Sequence, residues 1–501
     1  MKLEIWKHRE TFQGQRCLKE GDGSSENIPK RAPERSQTTM TRLHFQMMAA
    51  WAGLILTGSF SMAVEQAKKP NVLIILTDDT GWAEYGFQGN KQIPTPNIDS
   101  IAKSGVRFTQ GYVSGPYCSP TRAGLMTGRY QTRFGHEFNS TAQQSGLKLD
   151  EKTIAEYLKK EGYSTCAIGK WHLGNKEEFR PFNRGFDEFF GTLANTPFYH
   201  PTNFIDTLKS REVQTVDDDK FYTTEAYGAR AADWIDRNSK NPWFLYVPFN
   251  AQHAPLQAPK KYLEKFAHIE DETRRYFAAM MAAKDDAVGV ILNKIKELGQ
   301  EDNTIVFFHS DNGGPTPSTS SNNLPLHGFK ATTWEGGVRV PFCVKWPGKF
   351  PAGKVYENPI IQLDILPTIL AAVKAETKPV KPLDGVNLIP YLTGENTGRP
   401  HDALFWRFGK QWAVRQGDWK LVVARGGSQQ PELYNLADDI SESKNLASEK
   451  PEVLAKLQAS YDAWNAEQAP PSVPDQPAAK KKADPKKKAA NKKGAAKKKA
   501  S

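Results

Sequence analysis

The stretch Asn71-Val-Leu-Ile-Ile-Leu-Thr77, running straight into Asp78-Asp79, decides how the fold is read. The run has strand length, and its apolar residues do not alternate with polar ones, so neither face can be solvated. A strand of that kind sits in a parallel sheet covered on both sides. Three more runs have the same form: Ser164 to Gly169 before Lys170, Trp243 to Phe249 before Asn250, and Thr304 to Ser310 before Asp311-Asn312. Helical patterns separate them. Asp150 to Lys160 carries Ile154, Tyr157 and Leu158 at helical spacing with Gly162 as a stop, and Glu272 to Leu298 reads as one or two longer helices. The expectation is an α/β body with a large, mostly parallel sheet flanked by helices. Ligands in such folds gather outside the carboxyl ends of the strands, where all four polar clusters fall. Beyond residue 400 the texture shifts to short alternating segments, Gln411 to Arg415 and Trp419 to Ala424, then a helix around Pro451 to Trp464. This predicts a smaller C-terminal antiparallel sheet plus helix, or else a continuation of the main sheet's edge.

The charge is distributed unevenly. The 501 residues carry a formal +11, but residues 469–501 hold eleven Lys against Asp475 and Asp484, and residues 1–63 hold nine Lys/Arg against six Asp/Glu. Removing those ends, +9 and +3, leaves −1 for residues 64–468, so a basic nucleic-acid-binding body is excluded. Residues 1–39 lack any helical or strand period and read as a non-native extension or a disordered one. Residues 40–63 read as a signal peptide: Met40 opens it, Arg42 supplies the positive charge, Met47 to Phe60 is the apolar run, and Ser61-Met62-Ala63 is a small-residue cleavage site. The run is short for a stable membrane span. Export, periplasmic or secreted, is therefore expected. The Pro-, Ala- and Lys-rich tail 469–501 is expected to be disordered, serving as a solubilising tail or contacting anionic polymers. Between the ends lie a catalytic domain, 64–400, and a C-terminal α+β subdomain, 401–468. Four cysteines make no disulfide framework. Cys17 falls in the leader, Cys166 and Cys343 sit in apolar runs as core residues, and Cys118 has a different setting.

In Cys118-Ser-Pro-Thr-Arg122, followed by Ala-Gly-Leu-Met-Thr-Gly128, Pro120 suits a first helical position and Gly128 a helix stop. Cys118 thus falls at or just before a helix N-terminus, where amides and the dipole favour an anion and Arg122 lies one turn along. On these grounds it is either an activated nucleophile or a structural thiol. Asp78, Asp79, Asp311 and Asn312 offer only hard oxygen donors, suiting Ca²⁺, less well Mg²⁺, and not zinc; an Asp pair at a strand end also serves as a cap or turn. Lys170-Trp171-His172 follows a strand, which predicts Lys170 and His172 at a pocket rim and Trp171 turned inward. His253 lies in Ala-Gln-His-Ala-Pro, Lys330 in Gly-Phe-Lys-Ala, and His309 reads as strand packing.

CxPxR at Cys118 to Arg122 with Thr127-Gly128-Arg129 resembles the signature of the formylglycine-dependent sulfatases. The order of the other motifs, from Asp78-Asp79 through GKWHLG and SDNGG to GFKATTWEGGVRVP, extends the resemblance over roughly residues 69–465. It implies an alkaline-phosphatase-like fold and a Cys118 oxidised to an aldehyde by a formylglycine-generating enzyme. It also implies one Ca²⁺ held by Asp78, Asp79, Asp311, Asn312 and the modified Cys118, and as substrate a sulfate ester, of a carbohydrate or of an aryl alcohol. Arg122, Lys170 and Lys330 would form the cationic cradle that an anionic ester demands. One hydroxyl of the aldehyde hydrate would attack sulfur. His253 would protonate the leaving alcohol, and His172 would deprotonate the other hydroxyl to expel sulfate. The alternatives are a phosphonate or phosphodiester hydrolase of the same superfamily, an inactive sulfated-glycan-binding protein, and a papain-like Cys hydrolase, whose local signature is missing around Cys118. Phe134 to Asn139, Asn195 to Asp206 and Pro315 to His327 are the loops expected to shape specificity.

Overall fold

A computed structural model describes residues 69–474. The leader with Cys17 and the signal peptide, and the Lys-rich residues 475–501, lie outside the described residues. The strands, in chain order, are β1 (Asn71–Thr77), β2 (Val106–Phe108), β3 (Gly111–Tyr112), β4 (Ser164–Lys170), β5 (Glu188–Thr192), β6 (Phe204–Asp206), β7 (Ser210–Gln214), β8 (Trp243–Pro248), β9 (Thr304–Ser310), β10 (Phe342–Lys345), β11 (Lys354–Tyr356), β12 (Ile360–Ile361), β13 (Ala403–Phe408), β14 (Gln411–Gln416), β15 (Trp419–Val423) and β16 (Glu432–Asn435). Ten of them form one sheet in the order β11-β2-β10-β9-β1-β8-β4-β5-β6-β7. The four apolar runs are its central strands β9, β1, β8 and β4, mutually parallel. Antiparallel strands appear toward the edges, with β10 against β9 and β6 against β5.

The central strands lack alternation because both faces are covered. Val72, Ile74 and Leu76 pack into a core on one side with Ala123, Leu125 and Met126 of the helix Cys118–Thr127 and with Leu158 of the helix Ile154–Lys160. Leu73 and Ile75 pack on the other side against Trp234 of the helix Thr223–Asn238 and Met280, Val288 and Ile291 of the helix Glu272–Glu297. Thr153 caps the helix Ile154–Lys160 in a reciprocal capping box with Glu156, so that helix starts later than the expected Asp150. Glu272–Glu297 is a single helix.

The C-terminal strands form a separate antiparallel sheet, β13-β14-β15-β16, rather than an extension of the main one. A helix, Pro451–Ala466, packs on it, and Trp406, Leu421 and Trp464 share a third core with Tyr112, Tyr130 and Trp334 of the preceding chain. Residues 469–474, expected to be disordered, are docked on the body: the Ala469 amide donates to Thr132 O at 3.1 Å, the Ser472 amide donates to Gly135 O at 2.8 Å, and Val473 is buried. These few apolar and backbone contacts offset the Pro-rich composition. Among the described residues no helix is long and apolar enough to cross a membrane.

Candidate active site

Strand register builds the site. β1 and β9 are parallel with Thr77 opposite Ser310, so the next residues, Asp78-Asp79 and Asp311-Asn312, emerge side by side at the carboxyl end of the sheet. The Asp79 amide donates to Asp311 Oδ1 at 3.2 Å, and Asn312 Nδ2 donates to Asp79 Oδ1 at 2.8 Å. Just beyond, Gly313 lets the backbone of Gly336 close on it, since a Cβ there would meet Gly336 O at 1.7 Å.

Cys118 is the first residue of the helix Cys118–Thr127, one turn from Arg122; Pro120 falls third in the helix, still within the turn whose amides need no partner. Gly128 stops the helix with a left-handed φ of 64°. The Cys118 Sγ lies 3.5 Å from Asp78 Oδ1 and 3.3 Å from Lys330 Nζ. Asp78, Asp79, Cys118 and Asp311 each present a ligand atom, all within 4.8 Å of one another. Asn312 Oδ1 is buried without a hydrogen-bond partner. Three carboxylates and an unpartnered amide oxygen are the donors a hard cation such as Ca²⁺ takes.

The cations close around these acids. Arg122 donates from Nη2 to Asp311 Oδ2 at 2.9 Å and to Asp78 Oδ2 at 3.2 Å, and from Nη1 to Lys170 O at 2.6 Å. Lys170 pairs with Asp78, and Lys330 pairs with Asp79. Lys170 and His172 are buried, not at a rim as expected: β4 lies inside the sheet between β8 and β5, the Lys170 ammonium is drawn onto Asp78, and His172 takes a left-handed φ of 60°. Trp171 is buried as expected, its indole bonded to Phe179 O. His253 is partly open, with Nε2 3.7 Å from Asp79 Oδ2. His309 packs its ring on Phe342 at 4.8 Å, a strand-packing role.

Burial raises the Asp78 pKa, but Lys170, His253, Arg122 and Lys330 outweigh it and hold the carboxyl well below the ordinary range. Burial and the adjacent Asp78 push Asp311 up. Burial, then Lys170 and Arg122, keep His172 neutral. Burial also pushes the Cys118 thiol up to about 12, Asp78 adding to it. A thiol held that high is no thiolate nucleophile, which removes the papain-like alternative.

Two features had no reading in the sequence. Ser119 Oγ bonds His136 Nε2 at 2.6 Å and donates to His172 O at 2.8 Å, so His136 braces the residue after Cys118 and the backbone of His172. Lys284 is wholly buried beneath the Asp78-Asp79 turn. Its sequence signal was a lysine four residues after Met280 and four before Val288, on the apolar stripe of a helix.

Comparison with known proteins agrees with this geometry. The sulfatase family profile matches residues 70–375, and that of the N-sulphoglucosamine sulphohydrolase C-terminal region matches residues 327–465. N-acetylgalactosamine-6-sulfatase of Sus scrofa is 33% identical over 407 residues, covering 76% of this chain and 75% of the relative. Arylsulfatase G of Rattus norvegicus is 31% identical over 458 residues, covering 78% and 86%. The crystal structure of Ps i-CgsB in complex with k-i-k-neocarrahexaose superposes with a TM-score of 0.74 at 34% identity, covering 81% of this chain and 94% of the other. With the family profile spanning more than half its length and the motif residues gathered at one sheet edge, this chain belongs to the sulfatase family.

Proposed function

We propose that the chain is an exported sulfatase that cleaves sulfate esters of a glycan, using Cys118 oxidised to formylglycine and a calcium ion held by Asp78, Asp79, Asp311, Asn312 and the modified Cys118. The observation that carries this reading is that three carboxylates, Asp78, Asp79 and Asp311, gather around the Cys118 side chain with Lys330 against its Sγ, while Arg122 and Lys170 pair with the same carboxylates. Three buried carboxylates are balanced by Arg122, Lys170 and Lys330 while His172 is neutral. Further cationic charge in such a site calls for an anion beside it, since unbalanced buried charge is costly. A divalent cation with a singly negative sulfate ester comes within one unit of that balance. The carbohydrate class follows from the names of the relatives, which include an N-acetylgalactosamine-6-sulfatase and a complex with a carrageenan-type hexasaccharide.

The ion, when bound, supplies Lewis acidity at the ester oxygens. The aldehyde that replaces the Cys118 thiol supplies, as its hydrate, an uncharged oxygen nucleophile that an anionic ester does not repel. Lys330 and Lys170 hold the ester's sulfate oxygens, and Arg122 fixes Asp78, Asp311 and the Lys170 backbone, so the donors are in place before charge develops. His172, neutral and sealed from solvent, accepts a proton from the Cys118-derived hydroxyl. His253, at the open side, donates one to the departing alcohol; burial, then Lys330, lowers its proton affinity, and an anionic ester beside it restores part of that affinity.

Mass spectrometry of the Cys118 peptide, after expression beside a formylglycine-generating enzyme, is expected to find the aldehyde. The matured protein should release sulfate from sulfated oligosaccharides, and Cys118→Ala should lose turnover while keeping its fold. An unmodified thiol in a protein that still released sulfate would sink the mechanism.

A further inference from the structure

Lys284 takes no part in the reaction proposed above, yet it is the ammonium buried closest behind the site's two working loops. It projects from the helix Glu272–Glu297 and is fully buried. Its Nζ donates to Tyr85 OH at 2.6 Å, Thr77 Oγ1 at 2.7 Å and Gln252 Oε1 at 2.9 Å, with Thr80 Oγ1 at 3.4 Å. All of these are neutral oxygens. The nearby acids are committed elsewhere: Asp285 accepts from the Asn97 side chain and the amides of Asn97 and Ile98, and Glu84 is bound by Arg274. A buried ammonium without a carboxylate partner is expensive, and burial depresses its proton affinity, partly countered by Asp285 and Glu84. Core packing alone would be served by a methionine.

What distinguishes Lys284 is where its acceptors sit. Thr77 and Thr80 flank Asp78 and Asp79, and Gln252 precedes His253. Asp79 holds a left-handed φ of 62°, a conformation that a non-glycine residue keeps only where its surroundings enforce it. Between the two segments run Thr80 Oγ1 to Gln252 Oε1 at 2.9 Å, the Gln252 amide to Asp78 O at 2.7 Å and the Asp78 amide to Ala251 O at 3.2 Å. The three N–H groups of one ammonium match the three close acceptors and join both segments to Tyr85.

We infer that Lys284 is a positioning residue, which locks the turn bearing Asp78 and Asp79 to the segment bearing His253. The inference rests on the reading of Asp78 and Asp79 as calcium ligands and His253 as proton donor. Its charge works the other way, because a cation behind an acidic site repels a bound cation. Positioning and charge therefore predict opposite signs when it is removed.

The test uses the full, matured chain with Lys284→Met. Calcium affinity is measured without substrate by competition with a chromophoric chelator, and kcat and KM are measured on an aryl sulfate at saturating calcium. Loss of a group that orients metal ligands should weaken calcium roughly 10- to 100-fold and lower kcat by about tenfold or more, with KM nearly unchanged because Lys170 and Lys330 still hold the sulfate. Gln252→Ala, which removes the side-chain bonds from Lys284 and Thr80 to the His253 segment and leaves the two backbone ones, should move both quantities the same way by less; it answers the question if Lys284→Met does not fold. Unchanged calcium affinity and kcat in a folded variant, with only the melting temperature lowered, would assign Lys284 to packing and overturn the proposal. Tighter calcium binding would overturn it too, leaving charge as the dominant effect. If the unmutated protein itself binds no calcium or turns over no sulfate ester, the failure lies in the reading of the site, and the proposal falls with it.

Discussion

At the scale of single residues, the site depends on cations that ordinary composition rules would place on the surface. Lys330 is an example: it is nearly buried, and its ammonium lies between Asp79 and the Cys118 Sγ. Lys330→Ala should reduce turnover on the order of 10² to 10³, as for loss of a donor aimed at charge that develops in the transition state; a loss under tenfold in steady-state kinetics would make Lys330 peripheral. Cys118, Arg122, Lys170, His172, His253, Lys330 and the four oxygen donors Asp78, Asp79, Asp311 and Asn312 were singled out as candidates from motifs. His136 and Ser119 were not, because their importance lies in what they touch across long stretches of chain; Lys284 showed only as a lysine on the apolar stripe of its helix, with nothing local to say what it touches.

At the scale of elements, the loop carrying Lys330 is fastened from the C-terminal sheet. It leads into the short helix Glu335–Val338, and Glu335 Oε1 accepts from Lys420 Nζ of β15 at 2.9 Å; Glu442 Oε1 lies 2.8 Å from the same ammonium. All three side chains are fully buried. Lys420→Met leaves the buried Glu442 without its cation and facing Glu335, which keeps only Arg339 at 3.4 Å, so the chain should lose about 3 to 5 kcal/mol of unfolding free energy in denaturant titration; a loss below about 1 kcal/mol would show that water or protonation of Glu442 replaces the lysine. The four central strands and the final helix were legible because a fully apolar run and a 3.6-residue period are local signals. The short strands β2 and β11 of the main sheet and the separate pair β3 and β12 were not, since two or three residues carry no period.

At the scale of the whole molecule, the basicity lies in the ends and the folded body is close to neutral. Acid stability of that body should depend on histidines buried without charge. Burial holds His136 at about 3, and burial, with Arg122 a smaller contributor, holds His309 at about 4. In the unfolded chain both protonate below about 6.5, so falling pH favours unfolding, each contributing about 2 kcal/mol of lost stability between pH 7 and pH 5. Their contribution is complete above the unfolded value and is lost down to the folded one. His136→Asn should flatten the dependence of unfolding free energy on pH over that window; an unchanged slope would mean that His136 is protonated in the fold. The sequence by itself determined the α/β class, the parallel central strands, the motif residues and the near-neutral body, because periodicity, residue chemistry and charge are properties of the chain read in order. Only the tertiary structure decided that the C-terminal strands form their own sheet, that Lys170 and His172 are sealed inside, that residues 469–474 dock on the body, and that Lys284 underlies the metal-ligand turn. Each of these depends on contacts between residues far apart in the chain, where burial and hydrogen bonding are fixed by how the layers meet and not by any local pattern.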